Sequence, residues 1–139
     1  MENPDRERAV KWLPVDDVPH SPCHVWRVRT DNDFEAVVEG RFVHDDRTLQ
    51  IQFVGLERIS ATNDMLGSMG MTVKDKSALP MLDDDSYRWP TIRIENSEWV
   101  GLFFNDCQHF VLLSLECTVE VVARCASARW LAAATPAEG

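Results

Sequence analysis

Apolar and polar residues alternate through two runs, 34–43 and 49–59, on either side of the polar stretch His44-Asp45-Asp46-Arg47. In the second run Leu49, Ile51 and Phe53 fall on one side, and Gln50 and Gln52 on the other. Side chains along a β-strand point alternately to its two faces. This pattern therefore belongs to half-buried antiparallel strands, one face on a core and one in water. Two such runs around a polar break predict a hairpin over 34–59, with its turn within 44–47.

The same period recurs elsewhere. Residues 25–29 set Trp26 and Val28 against Arg27 and Arg29, and 91–95 set Ile92 and Ile94 against Arg93 and Glu95. Strands are expected at 99–104, which is almost continuously apolar, and at 108–115 and 118–124, joined across Glu116-Cys117. Asp31-Asn32-Asp33, Asn96-Ser97 and Asn105-Asp106 supply turns between them. A short helix is expected over 5–12, stopped by Pro14, and another within the irregular segment 61–90, where Thr62-Asn63-Asp64 can cap a turn. The Ala-rich tail 126–134 suits either a terminal helix or one more strand ending near Trp130.

The fold class expected is α+β: a mainly antiparallel sheet of about six or seven strands, a hairpin plus a meander, with one or two short helices. A partly closed barrel is the alternative. Residues 1–139 make one domain, with 1–24 as a lead-in. Phe53, Ile59, Ile92, Trp99, Phe103, Phe110, Leu112 and Val121 are expected to share one core.

Charge narrows the partners. With 23 acidic against 14 basic residues the net charge is −9, and no run of Lys or Arg stands out to reverse it locally. Duplex nucleic acid and anionic lipid are repelled by such a field, whereas a basic protein is attracted. No apolar run approaches the roughly 18 residues of a membrane span, and the charged N-terminus lacks a signal-peptide segment, so a cytoplasmic protein is expected. Cys23, Cys107, Cys117 and Cys125 form no CxxC pair and read as reduced, buried thiols.

Few residues are of a type that carries chemistry. His20-x-x-Cys23-His24 and Cys107-x-His109 offer zinc-type ligands, but only one half approaches a zinc-site spacing. No tightly bound metal and no cofactor are expected. A cysteine nucleophile is disfavoured because Cys23 and His24, as strand neighbours, point to opposite faces. Residues 66–70 form neither a phosphate loop nor a nucleophile elbow, HExxH is absent, and Asp83-Asp84-Asp85 lacks the glycine and glutamate of an EF-hand loop. No catalytic residue is assigned, and a non-enzyme is the expectation. Met65, Met69, Met71 and Met81 read as packing.

One cluster does suggest contact. Asp83, Asp84, Asp85, Tyr87 and Trp89 place aromatic anchors among carboxylates, which complements a basic, apolar-centred partner. The functional expectation is a non-enzymatic acidic binding module docking a basic protein, inhibitor- or immunity-like in character. The alternatives are a small-ligand or metal-binding protein using the His/Cys cluster, and an oligomeric structural protein pairing through sheet edges.

Overall fold

The computed structural model describes residues 7–62, 79–83, 87–97, 100–101 and 106–131. In chain order they form β1 (Arg8–Lys11), β2 (Cys23–Asn32), β3 (Glu35–Phe42), β4 (Thr48–Thr62), β5 (Thr91–Glu95), β6 (Gln108–Leu113) and β7 (Thr118–Leu131). All lie in one seven-stranded antiparallel sheet of order β1-β5-β6-β7-β4-β3-β2. The sheet does not close, and β1 and β2 are its edges.

The helical part of the α+β expectation is not met. Among the described residues only Val100 and Gly101 are helical. The helix expected over 5–12 is replaced by β1, which pairs along β5 from Arg8↔Glu95 to Lys11↔Ile92. A helix nucleus fixes several residues for one hydrogen bond, and so short a segment ahead of Pro14 gains more from a ladder with β5. The strand expected at 99–104 is overturned at Val100 and Gly101, where Ser97 starts a helical turn: Gly101 N–H donates to Ser97 O at 3.0 Å. The tail is strand, not helix, as far as Leu131, because β4 offers it a partner along its whole length. The helix expected near 62–67 falls largely outside the described residues.

The expected hairpin is β3 and β4, paired from Gly40↔Leu49 to Glu35↔Val54. Its turn uses Asp45, whose amide donates to Phe42 O and whose carboxylate accepts the Arg47 amide at 2.9 Å, while His44 takes φ 68°. Asx side chains commonly stabilise turns in this way. Register across β2, β3, β4 and β7 runs in straight rows. Trp26, Gly40, Leu49 and Trp130 form one inward row, and Val28, Val38, Ile51 and Ala128 the next. Gly40 is required by close approach, since a Cβ there would lie 2.3 Å from the Trp26 indole. Between the inward rows, Arg27, Glu39, Gln50 and Arg129 form an outward one.

The other half of the sheet is built differently. From His109 to Leu113 every β6 residue is buried, and so is every β7 residue from Thr118 to Ala123. Phe110 stacks obliquely on Trp12 (4.6 Å between ring centres) and Phe53 (5.2 Å) in the main core, where Ile92, Leu112 and Val121 also lie. Ile59 packs against that core half-buried, and Trp99 and Phe103 lie outside the described residues. Trp12 is pinned by its amide to Thr91 O (3.0 Å) and by the Thr91 hydroxyl donating to Trp12 O (2.7 Å). The first residues of β2 bend back against the β6–β7 connection: Leu115 N–H donates to Cys23 O, and Trp26 Nε1 donates to Leu113 O at 2.9 Å.

Candidate functional site

Two limbs of chain, residues 79–83 and 87–89, are clamped together beside the lead-in. Met81 and Arg88 form an isolated antiparallel bridge. Leu82 N–H donates to Tyr87 O and Trp89 N–H donates to Pro80 O, both at 2.8 Å, and the Arg88 guanidinium donates to Leu79 O. Leu79, Leu82 and Trp89 root these limbs in the core. Among the proposed contact residues, Asp83 is exposed and Tyr87 is 38% exposed, while Asp84 and Asp85 lie outside the described residues.

Trp89, expected as an exposed anchor, is buried. It is only 1% exposed, and its indole N–H reaches the Thr91 hydroxyl at 3.1 Å. Lys11 Nζ lies 4.8 Å from the centre of its ring, and His20 meets the ring edge-on at 5.2 Å. Asp83 contacts both of those side chains, Lys11 Nζ at 3.4 Å and His20 Nδ1 at 2.9 Å. A tryptophan following an acidic stretch fits a buried root as well as an exposed anchor, and the apolar contacts available here decided for the root.

The His/Cys ligand set does not assemble. Cys23 is buried, its thiol donates to Val25 O, and burial pushes its pKa up to about 12, which disfavours the thiolate a metal needs. His20 belongs to the Asp83 cluster, and His24 lies exposed by Arg27 and Arg41. Burial also raises the Cys107 thiol. Among the described residues no group of His, Cys, Asp and Glu side chains is arranged to hold a metal ion.

A second constellation was missed by sequence reasoning. His109 on β6 sits diagonally from Glu120 on β7, with Nε2 to Oε2 at 2.7 Å and both side chains buried. Its other nitrogen, Nδ1, meets Ser97 Oγ at 2.8 Å, and Ser97 Oγ also accepts the Val100 amide at 3.3 Å. One assignment satisfies all three contacts: the Ser97 hydroxyl donates to Nδ1, and Nε2–H donates to the Glu120 carboxylate. Ser97, Cys107 and His109 border a cleft of about 480 Å3 together with Arg93 and Asn96.

The order serine, histidine, carboxylate resembles an activated hydroxyl. However, Ser97 caps a helical turn and His109 is 1% exposed with both ring nitrogens engaged. This chain of hydrogen bonds fastens the turn after Asn96 to the middle of the sheet. The readable signal was Glu120 within Thr118-Val119-Glu120-Val121-Val122, a carboxylate inside an apolar strand. Its partner could only be found once the register of β6 on β7 was known.

Comparison with known proteins finds no matching family model, no matching curated protein and no matching solved structure.

Proposed function

We propose that the chain is a non-enzymatic binding module that docks a basic protein through Asp83 and Tyr87. The observation that carries this is the clamp: Asp83 and Tyr87 flank limbs tied by Met81↔Arg88 and rooted by Trp89. Contact residues on a loop held by a rigid scaffold lose little entropy on binding. The formal charge of −9 adds long-range attraction for a cationic partner. Asp83 exchanges its surface bridges to Lys11 and His20 for contacts with that partner, and exposed bridges of this kind are worth little. All four cysteines are free, which suits action in a reducing, cytosolic setting and an inhibitor- or immunity-like role. No helix among the described residues is long and apolar enough to cross a membrane.

The test is affinity capture on the immobilised chain, followed by kinetics with the captured protein. A basic partner is expected, with an on-rate that falls as the Debye length shrinks from about 10 Å at 0.1 M salt to about 3 Å at 1 M. The Asp83→Asn, Tyr87→Ala double variant should bind about tenfold more weakly. A captured protein that is acidic, or whose binding ignores salt and both substitutions, would refute the proposal.

A further inference from the structure

β2 is an edge of the sheet, and its outward face carries Arg27 and Arg29 beside further arginines of β3 and β7. Arg27, Glu39, Gln50 and Arg129 form one outward row, and Arg29, Val37, Gln52 and Ser127 the next. Arg41 joins the same face, two residues along β3 from Glu39. The carboxylates on this face of β3 are Glu39, which Arg29 approaches at 3.5 Å, and Glu35, two residues along from Val37. Arg27 and Arg41 line a groove of about 1040 Å3 that Glu39, Asp45 and Asp46 also line. At the groove's rim Asp45 is engaged by Arg47, whose Nη2 lies 2.9 Å away. A surface rich in arginine thus sits on a chain of net charge −9.

The edge itself is half occupied. At the start of β2, Cys23 O accepts the Leu115 amide and Trp26 O accepts the Cys117 thiol. Beyond Trp26, β2 pairs only with β3 among the described residues, and Arg27, Val28, Arg29 and Thr30 are all exposed. Val28 belongs to an inward row, yet it stands 36% exposed because nothing described lies beside it.

We propose that the open edge of β2 accepts an extended acidic segment of another protein as an added strand. Backbone pairing along a sheet edge supplies affinity, and alternate side chains supply specificity. Residues of the added strand facing Arg27 and Arg29 lie two apart on the outward face, and the residue between them falls beside Val28. The segment recognised therefore reads acidic, apolar, acidic. Opposite charges directly across a pair of strands stabilise it, and like charges destabilise it. Antiparallel pairing of β2 on β2 about Val28 sets Arg27 against Arg29, which that rule disfavours, but pairing about Thr30 sets Arg29 against Asp31, so a second copy is the competing occupant that sedimentation must separate. Nucleic acid has no backbone able to continue the ladder and meets the chain's overall negative field. This surface involves neither Asp83 nor Tyr87, so it does not depend on the docking proposed above.

The test uses the full chain and three peptides: alternating Glu and Val, alternating Lys and Val, and the Glu/Val peptide N-methylated at every second residue. Affinities are read by fluorescence anisotropy at about 0.1 M salt and contact sites by amide chemical shifts. The Glu/Val peptide should bind about tenfold tighter than the Lys/Val peptide, and N-methylation should cost about tenfold. The largest shifts should fall on Val28 and Thr30. Arg27→Glu with Arg29→Glu should reverse the charge preference, with circular dichroism showing the fold intact; both side chains are exposed. The proposal is overturned by equal binding of the two charge types or by no binding of either to folded protein. Full binding of the N-methylated peptide, or an oligothymidine that matches the Glu/Val peptide, would also overturn it. So would a dimer in sedimentation that the Glu/Val peptide fails to dissociate.

Discussion

β6 from His109 to Leu113 and β7 from Thr118 to Ala123 are buried on both faces, whereas the β2–β3–β4 half is wet on one. In the first half a polar side chain must find its partner inside the protein, and His109, Glu120 and Ser97 do so with each other. In the second half the outward rows keep Arg27, Glu39, Gln50 and Arg129 in or near water, where charge is cheap to hold. One half therefore carries the stability of the molecule. The other has exposed surface and an exposed edge available for contact.

The largest effects are expected where the two halves share a core. Phe110→Ala removes the ring between Trp12 and Phe53 and should destabilise by about 3–5 kcal/mol in a urea titration. A change near zero would mean that the halves do not pack as one. Removing one partner of the buried pair, by His109→Ala or Glu120→Ala, should also cost about 3–5 kcal/mol, because the other is left buried without it. Replacing both by Leu should recover much of that loss. If the double variant is as unstable as the sum of the singles, the pair is not acting as a unit.

On the one-sided half, smaller numbers should appear. Gly40→Ala pushes a methyl into the Trp26 indole and should cost about 1–3 kcal/mol, with a shifted tryptophan emission. Gln52→Ala, on the outward face, should stay within about 0.5 kcal/mol of the parent. A large loss there would show that face to be covered.

Acid and alkali should act on the β2–β3–β4 half through two different groups. Burial raises the Cys23 thiol from 9.0 to about 12, so its contribution is complete below pH 9.0 and is lost as pH rises towards 12. Asp45 is depressed below 3.8, chiefly by its hydrogen bond to Arg47, so its contribution is present above that value and fades as pH falls through the lower folded one. Urea midpoints against pH should lose part of their alkaline slope in Cys23→Ala and part of their acid slope in Arg47→Gln. Unchanged slopes would remove those groups from the account.

Legibility in the sequence followed the same division. Where one face is wet, alternation is visible, and Leu49, Gln50, Ile51, Gln52 and Phe53 marked β4 and its hairpin with β3. Where both faces are buried, the pattern becomes a plain apolar run, as in Phe110 to Leu113. It still marked a strand, but it gave no sign that His109 and Glu120 would meet. Val100 and Gly101 were misjudged for a related reason: an apolar stretch looks the same in a strand and in a buried helical turn, and Ser97 as a cap was the overlooked cue. The arginine face was invisible along the chain because Arg27, Arg41 and Arg129 come from three strands and only the register joins them. The burial of Trp89 was not legible either, because composition alone cannot tell a buried root from an exposed anchor.

Amide hydrogen exchange on the free chain tests the division most directly. Amides of β6 and of residues 118–123 should exchange only through global unfolding, and those of β2 from Val28 to Asn32 should exchange far faster, through local opening of the edge. If β2 is as strongly protected as β6, its edge is not open. The contrast between a buried half that carries stability and an exposed half free for contact would then be contradicted.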